Sequence, residues 1–396
     1  MPQLVHVLAE YDKMSLEFED PMLFRHELAG TLLAASRFAD FAWKIEAVDR
    51  AKQILKGDPD RYMDAWFTYR ESATLRMLGK REESDKALQS FVQSRALKEP
   101  NGDSDITPRY NAQRGDLVIS FAENLIRQWK LEEAKDELKM WSPINPDTPS
   151  VLERITLRAR DIILGKTLRY QGHFQDALVL LQKVLNECYT DDFFEGTGWY
   201  RVLLSNIAEL YCEVGRPLEA EKILKPELNS MSEKETQDSA TGRRLRLSLS
   251  EALIGSNSFD PAKAILLRLK EEYEAIKKPD HTREINAFRI WLGLARISHR
   301  RKCLDEAILY WKQALVIAER LKIGNGIHAG IVRYSIAHIL HVTGDKGSSH
   351  NVLVEAKRNL SSETRVFWIA GFNSQWYDEI IKLMNERCGN NSKWNE

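Results

Sequence analysis

Arg296, His299 and Arg300 lie within "RISHRRK" (296–302), and Arg289 precedes them by two helical turns. On a helix, Arg289, Gly293, Arg296 and Arg300 share one face, while Ile290, Leu294 and Ile297 share another. A row of guanidinium groups with a neighbouring imidazole suits an acidic group, which it takes through charge-assisted hydrogen bonds. A second cluster is "HILH" (338–341), where His338 and His341 stand at i, i+3. That spacing can share a metal ion. No carboxylate or cysteine lies on the same turns, so a further ligand would have to come from His299. The pair therefore reads as two partly exposed histidines, and no metal or cofactor is expected.

What could position these groups follows from length and periodicity. At 396 residues the chain exceeds what one compact core usually holds, so two domains or a repeat array is expected. The 57 basic and 58 acidic residues leave a formal net charge of −1, which argues against a nucleic-acid binder with a broad basic footprint. No apolar run is long enough to span a membrane, and "MPQLVHVLAEYDKMSLEFED" has no basic leader ahead of an apolar block. Cys188, Cys212, Cys303 and Cys388 are scattered without a CxxC pair. Free thiols in a reducing compartment, cytoplasm or nucleus, are the expectation.

Self-comparison reveals a repeat. A small residue is followed four positions later by a large apolar one at Ser84/Leu88, Ala134/Leu138, Ala177/Leu181, Ala220/Leu224, Ala262/Leu266, Ala307/Trp311 and Ser349/Leu353. Successive intervals are 50, 43, 43, 42, 45 and 42 residues, and nine positions before each small residue stands Leu75, Leu125, Leu168, Tyr211, Leu253, Ser298 or Leu340. Turn candidates follow, as in "YQGHF" (170–174), "EVGRP" (213–217) and "GSNSFD" (255–260). A small residue lets two helices of a hairpin approach, and the large residue one turn on fills the adjacent groove. No sustained period-two alternation supports strands. The class is all-α, and lone hairpins of this kind must stack to bury their apolar faces.

"GKTLRYQGHFQDALVLLQKVL" (165–185), "NIAELYCEVGRPLEAEKILKPEL" (206–228) and "LARISHRRKCLDEAILYWKQALVIAERL" (294–321) resemble the tetratricopeptide-repeat (TPR) superfamily. The resemblance covers roughly residues 66–358, and its long interval is similar to that of kinesin light chains and of arrays in signalling ATPases. It implies a right-handed superhelix, an α-solenoid of about seven to eight hairpins, with first helices lining an inner groove. The expected organisation is an N-terminal helical cap over 1–60, in unclear register, and a repeat array over 61–360. Aromatic-rich capping helices over 361–388 and a disordered tail over 389–396 complete it. Loops are expected at 98–115, at the proline-rich 142–150, and at 229–244.

If first helices line a groove, equivalent positions stack into columns. One reads Ala73, Glu123, Lys166, Glu209, Glu251, Arg296 and His338. Three residues further along, another contains His299 and His341. With Tyr334, His338 and His341 on one face, the groove would be acidic in its middle, at Glu209, Glu213 and Glu251. It would be basic toward its C-terminal end, at Arg289, Arg296 and Arg300. Such a bipolar groove could hold an extended partner segment; equally, neighbours such as Glu123 with Lys166 or Glu251 with Arg296 could pair internally. The Lys/Asn clamp by which some tetratricopeptide domains hold chaperone C-termini is absent, because Ile162, Lys166, Asn206, Arg244 and Ser248 do not match it.

"DDFFE" (191–195) resembles the aspartate-rich magnesium box of class I terpene synthases, but the partner Asn/Asp-x₃-Ser/Thr-x₃-Glu motif does not occur. In the repeat register it falls between hairpins, where Asp191 and Asp192 favour a helix start. No GxxxxGK, GxSxG, HExxH or GxGxxG motif occurs, so no catalytic residue is assigned. "GRRLRL" (242–247) and "HRRK" read as helix faces rather than nuclear signals. Trp66, Trp129, Trp291 and Trp311 read as hairpin packing. The expectation is a protein-interaction scaffold whose partner is a protein or peptide, with no nucleic acid or membrane, and with self-association open. The alternative is a helical repeat with a small-molecule cavity, where acid and base work would fall to His299, His338, His341, Glu209 and Glu251.

Overall fold

The computed structural model describes residues 21–35, 41–56, 61–78, 80–93, 108–190, 198–233, 239–275, 281–321, 323–360 and 367–388. Among them stand seventeen α-helices and no strand. The chain forms two compact units, Met1–Arg160 and Asp161–Glu396. The first holds α1 (Pro21–Ala35), α2 (Phe41–Ile54), α3 (Arg61–Met77), α4 (Arg81–Gln93), α5 (Pro108–Arg127) and α6 (Leu131–Lys139). The boundary falls inside α7 (Val151–Tyr170). The second unit continues with α8 (Phe174–Tyr189), α9 (Gly198–Glu213), α10 (Pro217–Glu233), α11 (Ala240–Gly255) and α12 (Phe259–Ala275). Then come α13 (His281–Arg300), α14 (Leu304–Arg320), α15 (Ile327–Val342) and α16 (Lys346–Leu360). A π-helical turn (Phe372–Trp376) leads into α17 (Tyr377–Cys388).

Every small residue of the repeat is fully buried on a second helix, and so is the large residue four positions later. Where serine replaces alanine, its hydroxyl is satisfied by a first-helix carbonyl: Ser84 Oγ donates to Ser72 O at 3.0 Å and Ser349 Oγ to Ala337 O at 2.8 Å. That satisfaction makes a hydroxyl tolerable in the tightest part of a hairpin.

The turns share one device. Five residues before the small residue, Trp129, Gly172, Gly215, Asn257, Lys302 and Gly344 all adopt positive φ; the equivalent Gly79 lies outside the described residues. In every turn but the one at Gly344, the next N–H reaches back to the residue nine before the small one, as in Lys130 N to Leu125 O at 3.0 Å and Cys303 N to Ser298 O at 2.9 Å. This Schellman closure satisfies the last carbonyls of those first helices. It also corrects one expectation: Trp129 is a turn residue, 39% exposed, and not a packing residue.

In the first unit, within the stretch expected as an N-terminal helical cap, α1 and α2 pack through Leu28, Leu32, Leu33, Val48 and Ala51 onto Phe67. Parts of two expected loops are helical. Helix α5 starts at Pro108, where proline costs no hydrogen bond. Helix α10 runs to Glu233, and α11 starts after Ser239, whose hydroxyl accepts from Gly242 N–H at 3.1 Å. The 142–150 loop remains a loop and ends in a capping box, with Glu153 accepting from the Ser150 N–H and hydroxyl.

Candidate functional site

In the second unit, first helices present polar side chains to one another, and these are buried. Glu209 on α9 takes Arg169 Nη2 of α7 and Arg289 Nη2 of α13, each at 2.8 Å. Ser248 Oγ of α11 donates to the same carboxylate at 3.1 Å. Burial alone would raise the Glu209 carboxyl, but Arg289, Arg169 and Arg244 hold it down at about 2. Two turns further along α13, Arg296 meets Glu251 of α11 at 2.7 Å, both almost wholly buried. His299 closes the row. Its Nδ1 accepts from the Trp311 indole N–H at 3.3 Å, so its proton sits on Nε2, 2.8 Å from Nδ1 of His338. Burial, then His338, depresses His299 to about 3, so it stays neutral.

Against this spine lies the chain's own segment Phe367–Trp376, "FWIAGFNSQW". Phe367 N–H donates to Tyr170 O at 3.0 Å, and Arg169 Nη2 reaches Trp368 O at 3.4 Å. Gly371 N–H donates to Glu213 Oε1 at 2.7 Å, the Ser374 hydroxyl donates to Glu213 Oε2, and Gln375 Nε2 donates to Cys212 O. The indoles also find acceptors: Trp368 on His328 Nδ1 at 3.0 Å and Trp376 on Ser335 Oγ at 2.9 Å. Gly371 adopts φ 66°, and a Cβ there would stand 3.3 Å from Arg296 Nη2. The position thus favours glycine on conformation and on space.

Rings carry the rest of the contact. Trp368 stacks on Phe288 with centroids 6.0 Å apart, Phe372 on His328 at 6.0 Å, and Trp376 on Trp311 at 5.8 Å. Arg300 donates from Nε to both oxygens of Glu379 on α17 at 2.9 and 3.1 Å, with its guanidinium over the Trp376 ring. Burying several aromatic rings and pairing their N–H groups is how a tight peptide ligand is held. Here the anchors belong to the protein itself.

The sequence matches no protein-family profile and no curated protein. Solved structures do resemble it. NprR in complex with its cognate peptide NprX aligns with TM-score 0.54 at 11% identity, over 83% of this chain and 86% of that one. The apo quorum sensor NprR from B. thuringiensis gives 0.51 at 13%, over 97% and 94%. A Rap protein complexed with Competence and Sporulation Factor gives 0.52 at 13%, over 75% and 78%. This chain has a tetratricopeptide-type helical-repeat fold. At such identities the likeness is one of fold.

Within this repeat, the residues expected on an open bipolar groove take other positions. Glu209, Glu251, Arg289, Arg296, His299 and His338 are buried and pair with one another, so acidic and basic poles meet instead of standing apart. The Glu251–Arg296 pairing is one the sequence suggested; Glu123 instead meets Arg76 of its own unit at 3.2 Å. Glu213 and Arg300 hold the C-terminal segment. Lys166 is half-buried, 5.6 Å from the Tyr170 ring centroid, Tyr334 is buried, and His341 is half-buried. His338 is not the partly exposed group expected, because it packs against His299. Phe367–Trp376, within the stretch expected as aromatic-rich capping helices, lies against first helices through its aromatic side chains. "HRRK" is dispersed, with Arg301 on Asp260 at 2.7 Å and Lys302 in the turn. "DDFFE" lies outside the described residues. Sequence reasoning missed Arg169, Arg244, Gly371 and Ser374. The aromatics at 368, 372 and 376, four apart after the last repeat, were the available signal.

Proposed function

We propose that the second unit is a binding module for an extended peptide or protein segment, which docks on the inner face of its first helices. The observation that carries this reading is the way Phe367–Trp376 occupies that face by main-chain hydrogen bonds and stacked rings, with one exchangeable ion pair just after it at Glu379. Two proteins of similar fold support it, since one was solved with a cognate peptide and one with a Competence and Sporulation Factor. The preferred partner carries aromatic residues four apart with a following acidic residue for Arg300. This refines the bipolar groove: its basic end serves the acidic residue, and its acidic end, at Glu213, takes main-chain and hydroxyl donors.

A tethered segment competes at an effective concentration on the order of millimolar, so a free peptide binds the intact protein weakly. Loosening the tether exposes the groove. The test uses a fluorescent synthetic peptide of residues 367–380 with the wild-type chain and a Glu379→Arg variant, read by polarisation. The variant is expected to bind about tenfold more tightly, the equivalent of about 1.4 kcal/mol. Equal, weak binding by a folded variant would contradict the reading.

A further inference from the structure

Around Glu209 the charges do not balance. Arg169 and Arg289 both contact its carboxylate. Arg244 joins the same network, its Nε donating to Ser205 Oγ at 3.1 Å, with Ser205 paired to Ser248 at 2.7 Å and Ser248 to Glu209. Lys166 lies one turn before Arg169 and Tyr170 on α7. The neighbouring carboxylates are committed elsewhere, Glu251 to Arg296 and Glu213 to the C-terminal segment.

Two further observations point at a ligand. Arg169 is almost wholly buried, yet among the described residues its Nε and Nη1 meet no hydrogen-bond acceptor, and neither does Nε of Arg289. Buried donors without an acceptor call for an explanation, and three of them converging beside one carboxylate suit a bound oxyanion. The local potential is positive as well: burial raises the Tyr170 hydroxyl, but Lys166, Arg169 and Arg244 bring it below its ordinary value. Burial and the neighbouring Arg289 and Arg169 push Arg244 down, against the pull of Glu209.

We propose that Lys166, Arg169, Arg244 and Arg289 form a subsite for an oxyanion, a carboxylate or phosphate group carried by a ligand. Glu209 orients two of the guanidinium forks, and the third reaches it through the serines. Lys166, Tyr170 and Arg244 are half-buried, so the subsite opens to solvent on their side. Planar guanidinium groups bind such oxyanions by paired N–H donors. The inference stands apart from peptide docking, because it requires only a small anion.

The test is calorimetric titration of the full-length protein with inorganic phosphate and, separately, with acetate. Chloride holds ionic strength constant, and thermal melting provides a second readout. Saturable binding and a raised Tm with phosphate assign a phosphate group, and the same response to acetate alone assigns a carboxylate. In either case Arg244→Gln weakens the binding about tenfold and removes the Tm rise. Lys166→Gln, at the rim, provides the same test without touching the buried network. If neither anion exceeds chloride, or if the response survives in both variants, the subsite is overturned.

Discussion

Trp376 stacks on Trp311 with centroids 5.8 Å apart and planes inclined by 27°. One ring belongs to the last turn before α17, and the other is the large packing residue of a repeat hairpin. This contact ties the C-terminal segment into the core of the second unit. Trp376→Ala is expected to destabilise that unit by about 3–5 kcal/mol, the usual cost of deleting a buried large aromatic. Urea unfolding followed by circular dichroism measures it; a loss under 1 kcal/mol would mean that the segment is not anchored there.

Glu213 gives the protein a particular pH response. Burial raises its carboxyl to about 7, against hydrogen bonds from Ser374 and Gly371 that favour the anion. Between pH 4.5 and 7 the folded state holds a proton that the unfolded state releases, so this group's contribution falls as pH rises, by up to about 3 kcal/mol. His299 and His328, each depressed to about 3, act in the opposite sense: they favour the folded state above pH 6.5 and disfavour it as pH falls. Glu213→Gln isolates the first effect. The stability of the variant relative to wild type is expected to rise from pH 5 to about pH 7 and to level off by pH 8, whereas parallel curves would exclude the shift.

The Glu251–Arg296 pair is buried on both sides. Removing one partner strands a charge, so Glu251→Leu alone is expected to cost about 3–5 kcal/mol. The double variant Glu251→Leu, Arg296→Met recovers most of that loss. A double-mutant cycle in urea reads the difference, and additive losses would show that the two charges do not depend on each other.

Lys302 occupies a left-handed turn that Gly172, Gly215 and Gly344 fill in other hairpins. Lys302→Gly relieves side-chain crowding there and is expected to stabilise by about 0.5–1 kcal/mol, net of the entropy glycine adds to the unfolded chain. Thermal melting decides it. A lower Tm would mean that the lysine side chain contributes more than its backbone costs.

The repeat was legible because its packing depends on neighbours along the chain. Ala307 and Trp311 sit one turn apart on one helix, and the geometry that buries them repeats at every interval. Burial of the inner face was not legible. Arg289 meets Glu209 across residues distant in sequence, and no local pattern encodes which cation reaches which carboxylate. The column through Glu209, Glu251, Arg296 and His338 picked out side chains that are buried and paired between helices. It could not show that Phe367–Trp376 would cover them. That depends on where a segment after the last repeat turns back, and spacing within the repeat carries no such information.

Hydrogen exchange at residues 367–376 tests the central claim most directly. In the wild-type protein, Gly371 N–H and its neighbours are predicted to be protected, and a large excess of the 367–380 peptide is predicted to accelerate their exchange as the tethered copy is displaced. Exchange as fast as in a free peptide, or protection unchanged with the added peptide bound, would contradict an inner face that the chain's own segment occupies and a partner can take over.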